Sequence, residues 1–478
     1  MTMRLRPYVL LLTAALSTLS ASAQYATGLT FNDDEYEQTS RISPALKFSS
    51  VDLPAYSLKA YSPTPGNQGN IGSCVGWATG YGALTIAEAF QAKNTSRSAI
   101  TERARSAMYI YLQIADRCPD GSMISDALKL AQTQGVPPFS AFGSVSCGTN
   151  IPSTLRQLAA QFKIKDYYTL FSIGAANDLK ISSTRTSISA GKPVVIGMTV
   201  TTSFNSVGSA GVYKPYVGEP SIGGHAMTVI GYDDMSRTFE ILNSWGTSWG
   251  NAGFFRMSYD DYARLVKYGY QFTLEGAAPP SPSGKEVSLT GSFRFRKLTG
   301  FDAQTNAYNF ADAPVTFDGK YYSVSNIRLN DFFRIQAADV TKDRYVYIFS
   351  IKPDNSAELL FPTSKTIDAV TVKDIPVVPA DNATIEIPAD PKKAMSTDKP
   401  GNDMLCILYS SELINDIDAV VGKVKNGTGD WMPRLQAALG NRLIPASDIR
   451  YNSSVMGLTT KSRSGGSIAP IILKVTVN

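Results

Sequence analysis

The sequence predicts an α+β fold with a helical lobe and a β lobe, followed by a mainly-β, sandwich-like region. Three observations carry this. Apolar residues recur at helical spacing between Ser73 and Gln134, and strand-like alternation replaces them from Pro193 onward. A Pro/Ser stretch, Ala277-Ala-Pro-Pro-Ser-Pro-Ser-Gly284, then opens onto a second run of alternation reaching the C-terminus.

At the N-terminus, Arg4 and Arg6 precede an apolar run from Tyr8 to Leu19 and a small-x-small site, Ala21-Ser22-Ala23. That order reads as a signal peptide over residues 1–23, because the run falls short of the ~20 residues a spanning helix needs. The expected mature chain is exported (secreted, periplasmic or cell-surface) and has no transmembrane segment. Residues 24–62, with acidic Asp33-Asp-Glu-Tyr-Glu37, read as a short N-terminal segment and candidate pro-segment. A compact domain over 63–276, a linker over 277–284 and a β-rich accessory domain over 285–478 complete the expected organisation.

In the compact domain, Trp77, Tyr81, Leu84, Ile86 and Phe90 share one broad helical face after Ser73. Helices are also expected over Ala104–Asp116 and Met123–Gln134, the latter with Ser122 placed to cap it and Gly135-Val-Pro-Pro138 to end it. Strands are expected over Val194–Val200, Ala226–Tyr232, Phe239–Leu242 and Phe254–Met257. After the linker, alternation marks Val287–Phe295, Phe332–Ala338, Tyr345–Ile351, Thr384–Ile387 and Ile471–Val477, with helical inserts at Glu412–Val424 and Met432–Leu443.

The chain has 478 residues, 43% hydrophobic and 18% charged, with a net charge of +5 and no concentrated basic block, which argues against a nucleic-acid partner. Four cysteines are present. Cys118 and Cys147 are close in sequence and suit a bridge in an oxidising compartment. That leaves Cys406, read as a buried apolar residue, and Cys74, whose setting asks for a chemical role.

Cys74 ends the glycine-bearing loop Gln68-Gly-Asn-Ile-Gly-Ser-Cys74, where a helix begins. A thiol attacks only as thiolate, and a helix N-terminus favours the anion. The only histidine, His225, follows Gly223-Gly224 at the start of an apolar strand, and imidazole exchanges protons near neutral pH. Asn243 opens Asn243-Ser-Trp-Gly-Thr-Ser-Trp-Gly250, and its amide can fix the imidazole while Trp245 roofs that bond. The side chain of Gln68, with the Cys74 N–H, is suited to hold an oxyanion.

The compact domain resembles the papain-like cysteine peptidases. Asn243-Ser-Trp-Gly and the strand after it, Gln68 to Cys74, and Gly224-His225-Ala226 are similar to that family's orienter, nucleophile and base motifs. The resemblance implies a papain-like two-lobe fold, a helical lobe plus a β-barrel lobe. Cys74, His225, Asn243 and Gln68 would be catalytic, and Gly121, Ser122, Gly224 and Trp245 would line the substrate. Three departures stand out: Val75 follows the nucleophile with Trp77 two residues later, Ile71 stands where many relatives carry a disulfide cysteine, and Gly224 replaces the frequent acidic or amide residue. The long helical propeptide of eukaryotic relatives is missing, which points to the bacterial branch. The Ile71 departure again pairs Cys118 with Cys147. Residues beyond Gly284 weakly resemble a β-rich accessory domain of exported bacterial proteins, with a surface or protein partner as its expected role.

The expected activity is hydrolysis of a protein or peptide substrate through an acyl-enzyme, with no metal and no organic cofactor. Two alternatives remain open: a catalytically vestigial binding or surface protein on the same fold, and a thiol acyl transferase or amidase.

Overall fold

The computed structural model describes residues 25–42, 46–47, 53–143, 146–274, 286–304, 307–367, 370–378, 383–388, 390 and 392–478. The expected signal peptide and the 277–284 linker lie outside the described residues. Among the described residues, no helix is long and apolar enough to cross a membrane.

The helical lobe is built on one long helix that starts as α over Cys74–Gly76, widens to π over Trp77–Leu84 and returns to α over Thr85–Gln91. Nearly all of its first three turns are buried, so the apolar face expected from sequence extends around the helix. Helices Ala107–Ile114 and Ile124–Thr133 pack beside it. The first starts later than expected because Ser106 caps it, its hydroxyl accepting from the Tyr109 N–H at 3.0 Å. The second is not capped by Ser122. Met123 is its N-cap residue and makes no side-chain cap bond, and the Ser122 backbone is paired with Gly28 and Thr30 instead.

The β lobe is an eight-stranded sheet. Its centre is Val194–Thr201 paired antiparallel with Ser221–Asp233, in a register that sets Met198 opposite His225. Thr238–Leu242 adds to the other edge of the His225 strand, with Leu242 opposite Thr228. This register brings the next residue, Asn243, back alongside His225. The Thr228 hydroxyl donates to the Ala78 carbonyl at 2.8 Å and ties the sheet to the long helix. Strands Ile164–Thr169 and Val266–Leu274, which alternation had not marked, extend the sheet.

Residues beyond 285 form two large sheets, one of eight strands and one of six, whose apolar faces share one cluster. The expected strands are present and several are longer, Val287–Asp302 and Ile468–Val477 among them. Helices Ile417–Asn426 and Trp431–Leu439 occupy the predicted inserts. The eight-stranded sheet contains one strand from far upstream: Leu46–Lys47 pairs with Ala383–Ile387 at its edge. Lys192 on the β lobe meets Asp343 at 2.6 Å across the junction. Burial pulls the Lys192 ammonium down, but Asp343 and Tyr168 outweigh it and hold the group up at about 12.

Candidate active site

The loop before the long helix brings Gln68 and Cys74 to the seam between the lobes. The Gln68 N–H donates to the Ser244 carbonyl at 2.9 Å, and its side-chain oxygen accepts from the Ser244 hydroxyl at 2.6 Å. This turns the Gln68 Nε2 toward the seam, where it donates to the carbonyls of Ile71 and Ala26, both at 3.0 Å. Ser244, one residue beyond the orienter, was not singled out from sequence. Its position inside Asn243-Ser-Trp-Gly was the signal available.

Cys74 is fully buried at the first position of the helix. Burial pushes its thiol up to about 12, opposed by the nearby backbone N–H groups of Ala226, Val75, Gly28 and Cys74 itself. Ala226, the residue next to His225, is buried in the same cluster as this thiol. His225 is equally buried. Its Nε2 lies 2.8 Å from Asn243 Oδ1, and its Nδ1 has no hydrogen-bond partner. Burial drives the imidazole down to about 4, against the pull of Asn243. The Trp245 ring lies 5.0 Å from the His225 ring and is fully buried. Burial thus favours the neutral form of both the thiol and the imidazole.

The seal is the chain's own N-terminal segment. Gly28 and Leu29 donate their N–H groups to the Gly224 carbonyl at 3.1 and 3.0 Å. Ser122 bonds the same stretch twice, donating to the Gly28 carbonyl at 2.9 Å and accepting from the Thr30 N–H at 3.0 Å, a parallel bridge centred on Leu29. Tyr25 stacks on Trp245 at 4.6 Å, and the Trp245 indole N–H donates to the Ala26 carbonyl at 3.1 Å. The Leu29 side chain is buried over Gly197, beside Ile124 and Tyr268.

Close approach explains the glycines. A Cβ on Gly28 would lie 2.1 Å from the Gly72 carbonyl oxygen, and one on Gly224 would lie 2.4 Å from that of Leu29. Gly121 is also open toward this segment, since a Cβ there would lie 2.7 Å from the Gly28 carbonyl. Cys118 and Cys147 are joined in a disulfide, while Cys74 and Cys406 are free and buried. With the seam filled, a cavity of about 1310 Å³ lies elsewhere, at the junction with the C-terminal sheets, lined by Lys165, Lys192, Asp343 and Glu412 among others.

Residues 62–269 match the family model described as papain family cysteine protease. Among curated relatives, an uncharacterized peptidase C1-like protein of Acanthamoeba polyphaga mimivirus is 37% identical over 87 residues, 17% of this chain and 27% of that protein. Cysteine proteinase 3 of Entamoeba histolytica is 31% identical over 101 residues, 20% of this chain and 33% of that protein. The chain therefore spans a third or less of the length of these relatives. Among solved structures, xylellain, a cysteine protease from Xylella fastidiosa, is 22% identical, with 53% of this chain and 96% of that chain covered and a TM-score of 0.41. Residues 62–269 are a papain family cysteine protease domain, and a β-rich region follows them.

Proposed function

We propose that the protein is an exported cysteine peptidase, of the family's bacterial branch, held latent by residues 25–31. Cys74 is the nucleophile, His225 the acid and base, and Asn243 the orienter. With residues 25–31 displaced, water and substrate reach the pair, and the His225 Nδ1 takes the proton as the Cys74 sulfur attacks the scissile carbonyl carbon. The carbonyl oxygen, now an oxyanion, is held by the Cys74 N–H and the Gln68 Nε2. His225 returns the proton to the leaving amine, and water activated by the same imidazole releases the acyl group.

Ser122 and the Gly224 carbonyl bind an extended substrate backbone, Gly121 leaves room for it, and Trp245 walls the leaving-group side. One observation carries this reading: His225 is fixed through Asn243 at 2.8 Å with its other nitrogen unpartnered, and the next residue, Ala226, is buried in the same cluster as Cys74.

Residues 25–31 are a blocker rather than a substrate in place. Their backbone is bonded to the walls of the seam, the Gly28 and Leu29 N–H groups donating to the Gly224 carbonyl and the Gly28 carbonyl accepting from the Ser122 N–H. The test is hydrolysis of a mixed peptide library by the chain with residues 25–31 displaced by Leu29→Asp, with Cys74→Ala and His225→Ala added to it as controls. Turnover should vanish in both variants while the fold survives. A Cys74→Ala protein that cleaves as fast as its Leu29→Asp parent would sink the proposal.

A further inference from the structure

The segment that fills the seam does not end there. Thr30 leads within three residues to a short helix, Asp33–Gln38, whose Tyr36 is fully buried and donates its hydroxyl to the Phe171 carbonyl at 2.7 Å. Six residues of helix have no stability of their own, so this turn persists through its contacts. Its last turn is linked forward, the Glu37 carboxylate meeting Arg41 at 2.7 Å.

Residues 40–42 then lie between the two halves of the molecule. On one side they alternate bonds with Thr169 of the protease domain, its N–H to the Ser40 carbonyl and the Ile42 N–H to its carbonyl, both at 2.9 Å. On the other side Ile375 of the C-terminal region donates its N–H to the Arg41 carbonyl at 2.7 Å. Ile42 and Ile375 are both buried. Beyond them Leu46 and Lys47 pair with Ile385 and Thr384, closing an edge of the C-terminal eight-stranded sheet.

We infer that the C-terminal β region is the clasp of this latency device: Ile375 and the Ala383–Ile387 edge grip residues 41–42 and 46–47 and thereby hold residues 25–31 over Cys74. The inference rests on reading Cys74 as the reactive thiol. The strap leaves the cleft as a run rather than residue by residue, because the Glu37–Arg41 pair ties the short helix to residues 40–42. Loosening the clasp therefore raises the fraction of molecules with an open cleft. Coupling of this kind is reciprocal, so a ligand that evicts residues 25–31 also loosens the strand pairing at Ile385. This gives the C-terminal sheets a role the protease domain's chemistry does not supply.

The experiment uses the full chain and an epoxysuccinyl peptide that alkylates Cys74, read by mass. Ile42→Asp places a charge in the buried clasp, Ile42→Ala is its milder partner, and Leu29→Asp disrupts the cleft end directly. Thermal melts establish that each variant is folded. The expected result is alkylation at least about tenfold faster than wild type for Leu29→Asp and Ile42→Asp, with Ile42→Ala between. In alkylated wild type, amide exchange at Ile375 and residues 383–387 should quicken.

A folded Ile42 variant that labels at the wild-type rate while Leu29→Asp is fast overturns the clasp and leaves the peptidase reading intact. Should Ile42→Asp fail to fold, Ile42→Ala decides by the same criterion. Fast labelling of both ends without hydrolysis of any peptide upholds the clasp and removes the peptidase. Wild-type labelling as fast as Leu29→Asp overturns the latency device itself.

Discussion

The side-chain amide of Gln68 donates to the backbone carbonyl of Ala26 across 3.0 Å. The group proposed to stabilise an oxyanion is thus occupied by the chain's own backbone. Its aim depends on Ser244, whose hydroxyl fixes the Gln68 oxygen at 2.6 Å. In a strap-displaced background such as Leu29→Asp, Gln68→Ala should lower kcat about 10²–10³-fold, the usual cost of one oxyanion donor. Ser244→Ala removes only an aiming bond worth about 0.5–1.5 kcal/mol, so kcat should fall roughly two- to tenfold. Peptide hydrolysis under saturating substrate checks both. Equal losses would mean that Ser244 does more than orient Gln68.

The buried dyad makes latent stability depend on pH. Burial holds the folded His225 imidazole at about 4, against an ordinary value of 6.5. Between those values the unfolded chain binds the extra proton, so stability is fully present above about pH 6.5 and is lost as pH falls toward 4. The loss is bounded at about 3 kcal/mol. Cys74 gives the mirror image, its thiol staying protonated when folded, so stability also falls as pH rises through the thiol's unfolded value near ~8.5. As pH falls from 7 to 4, thermal midpoints should drop more steeply for the wild type than for His225→Gln.

Tyr36 anchors the N-terminal segment to the protease domain. Its hydroxyl donates to the Phe171 carbonyl and accepts from the Gly269 N–H at 3.0 Å, and its ring stacks on Tyr268 at 4.2 Å. Tyr36→Phe keeps the stack and strands two buried backbone groups, at about 1–3 kcal/mol. Urea unfolding should show that loss, and Cys74 alkylation should accelerate with it.

The Cys118–Cys147 bridge spans a sequence separation of 29 and closes the loop that carries Gly121 and Ser122. Replacing both cysteines by serine should destabilise the protease domain by about 2–4 kcal/mol, the usual range for a bridge. Denaturant melts of the double variant against the wild type measure it. An unchanged midpoint would show that the loop is held without the bridge, for instance through the Tyr111 hydroxyl on the Asp120 carbonyl at 2.7 Å.

Much of the site was legible because its residues sit in distinctive local settings. Gln68, Cys74, His225 and Asn243 were all named from short motifs, and strict alternation marked the strands that carry His225 and lead to Asn243. The helix Asn177–Ser189 was not legible. It is rich in Ser and Thr, whose hydroxyls turn back onto carbonyls of the preceding turn, as Ser183 does on Leu179 at 2.6 Å. Its hold comes from tertiary contact, including Lys180 donating to the Ala263 and Val266 carbonyls at 3.2 and 2.9 Å.

The occupied seam was equally hidden. Residues 25–31 bind through backbone groups together with Tyr25 and Leu29, and backbone bonds leave no side-chain pattern to read. Ser122 was expected to cap a helix because its type and position fit. Nothing local could reveal that its backbone pairs with a segment more than ninety residues upstream.

Gly28 offers the sharpest probe of whether that pairing is what silences Cys74. It crosses Gly72 so closely that a methyl group would sit 2.1 Å from a backbone oxygen, and its N–H donates to the Gly224 carbonyl, next to His225, at 3.1 Å. A backbone neighbour cannot swing aside as a flexible side chain can, so Gly28→Ala must lift residues 25–31 off the seam. The thiol and imidazole then regain water, and the burial that forced both into neutral forms is relieved. Alkylation of Cys74 in Gly28→Ala should be at least about tenfold faster than in the wild type. Its rate should also reach a plateau near neutral pH, the signature of a thiolate sustained by an imidazolium. A faster rate that still climbs steadily toward pH 9 would instead describe an exposed but unactivated thiol, and Cys74 would lose its place as the nucleophile.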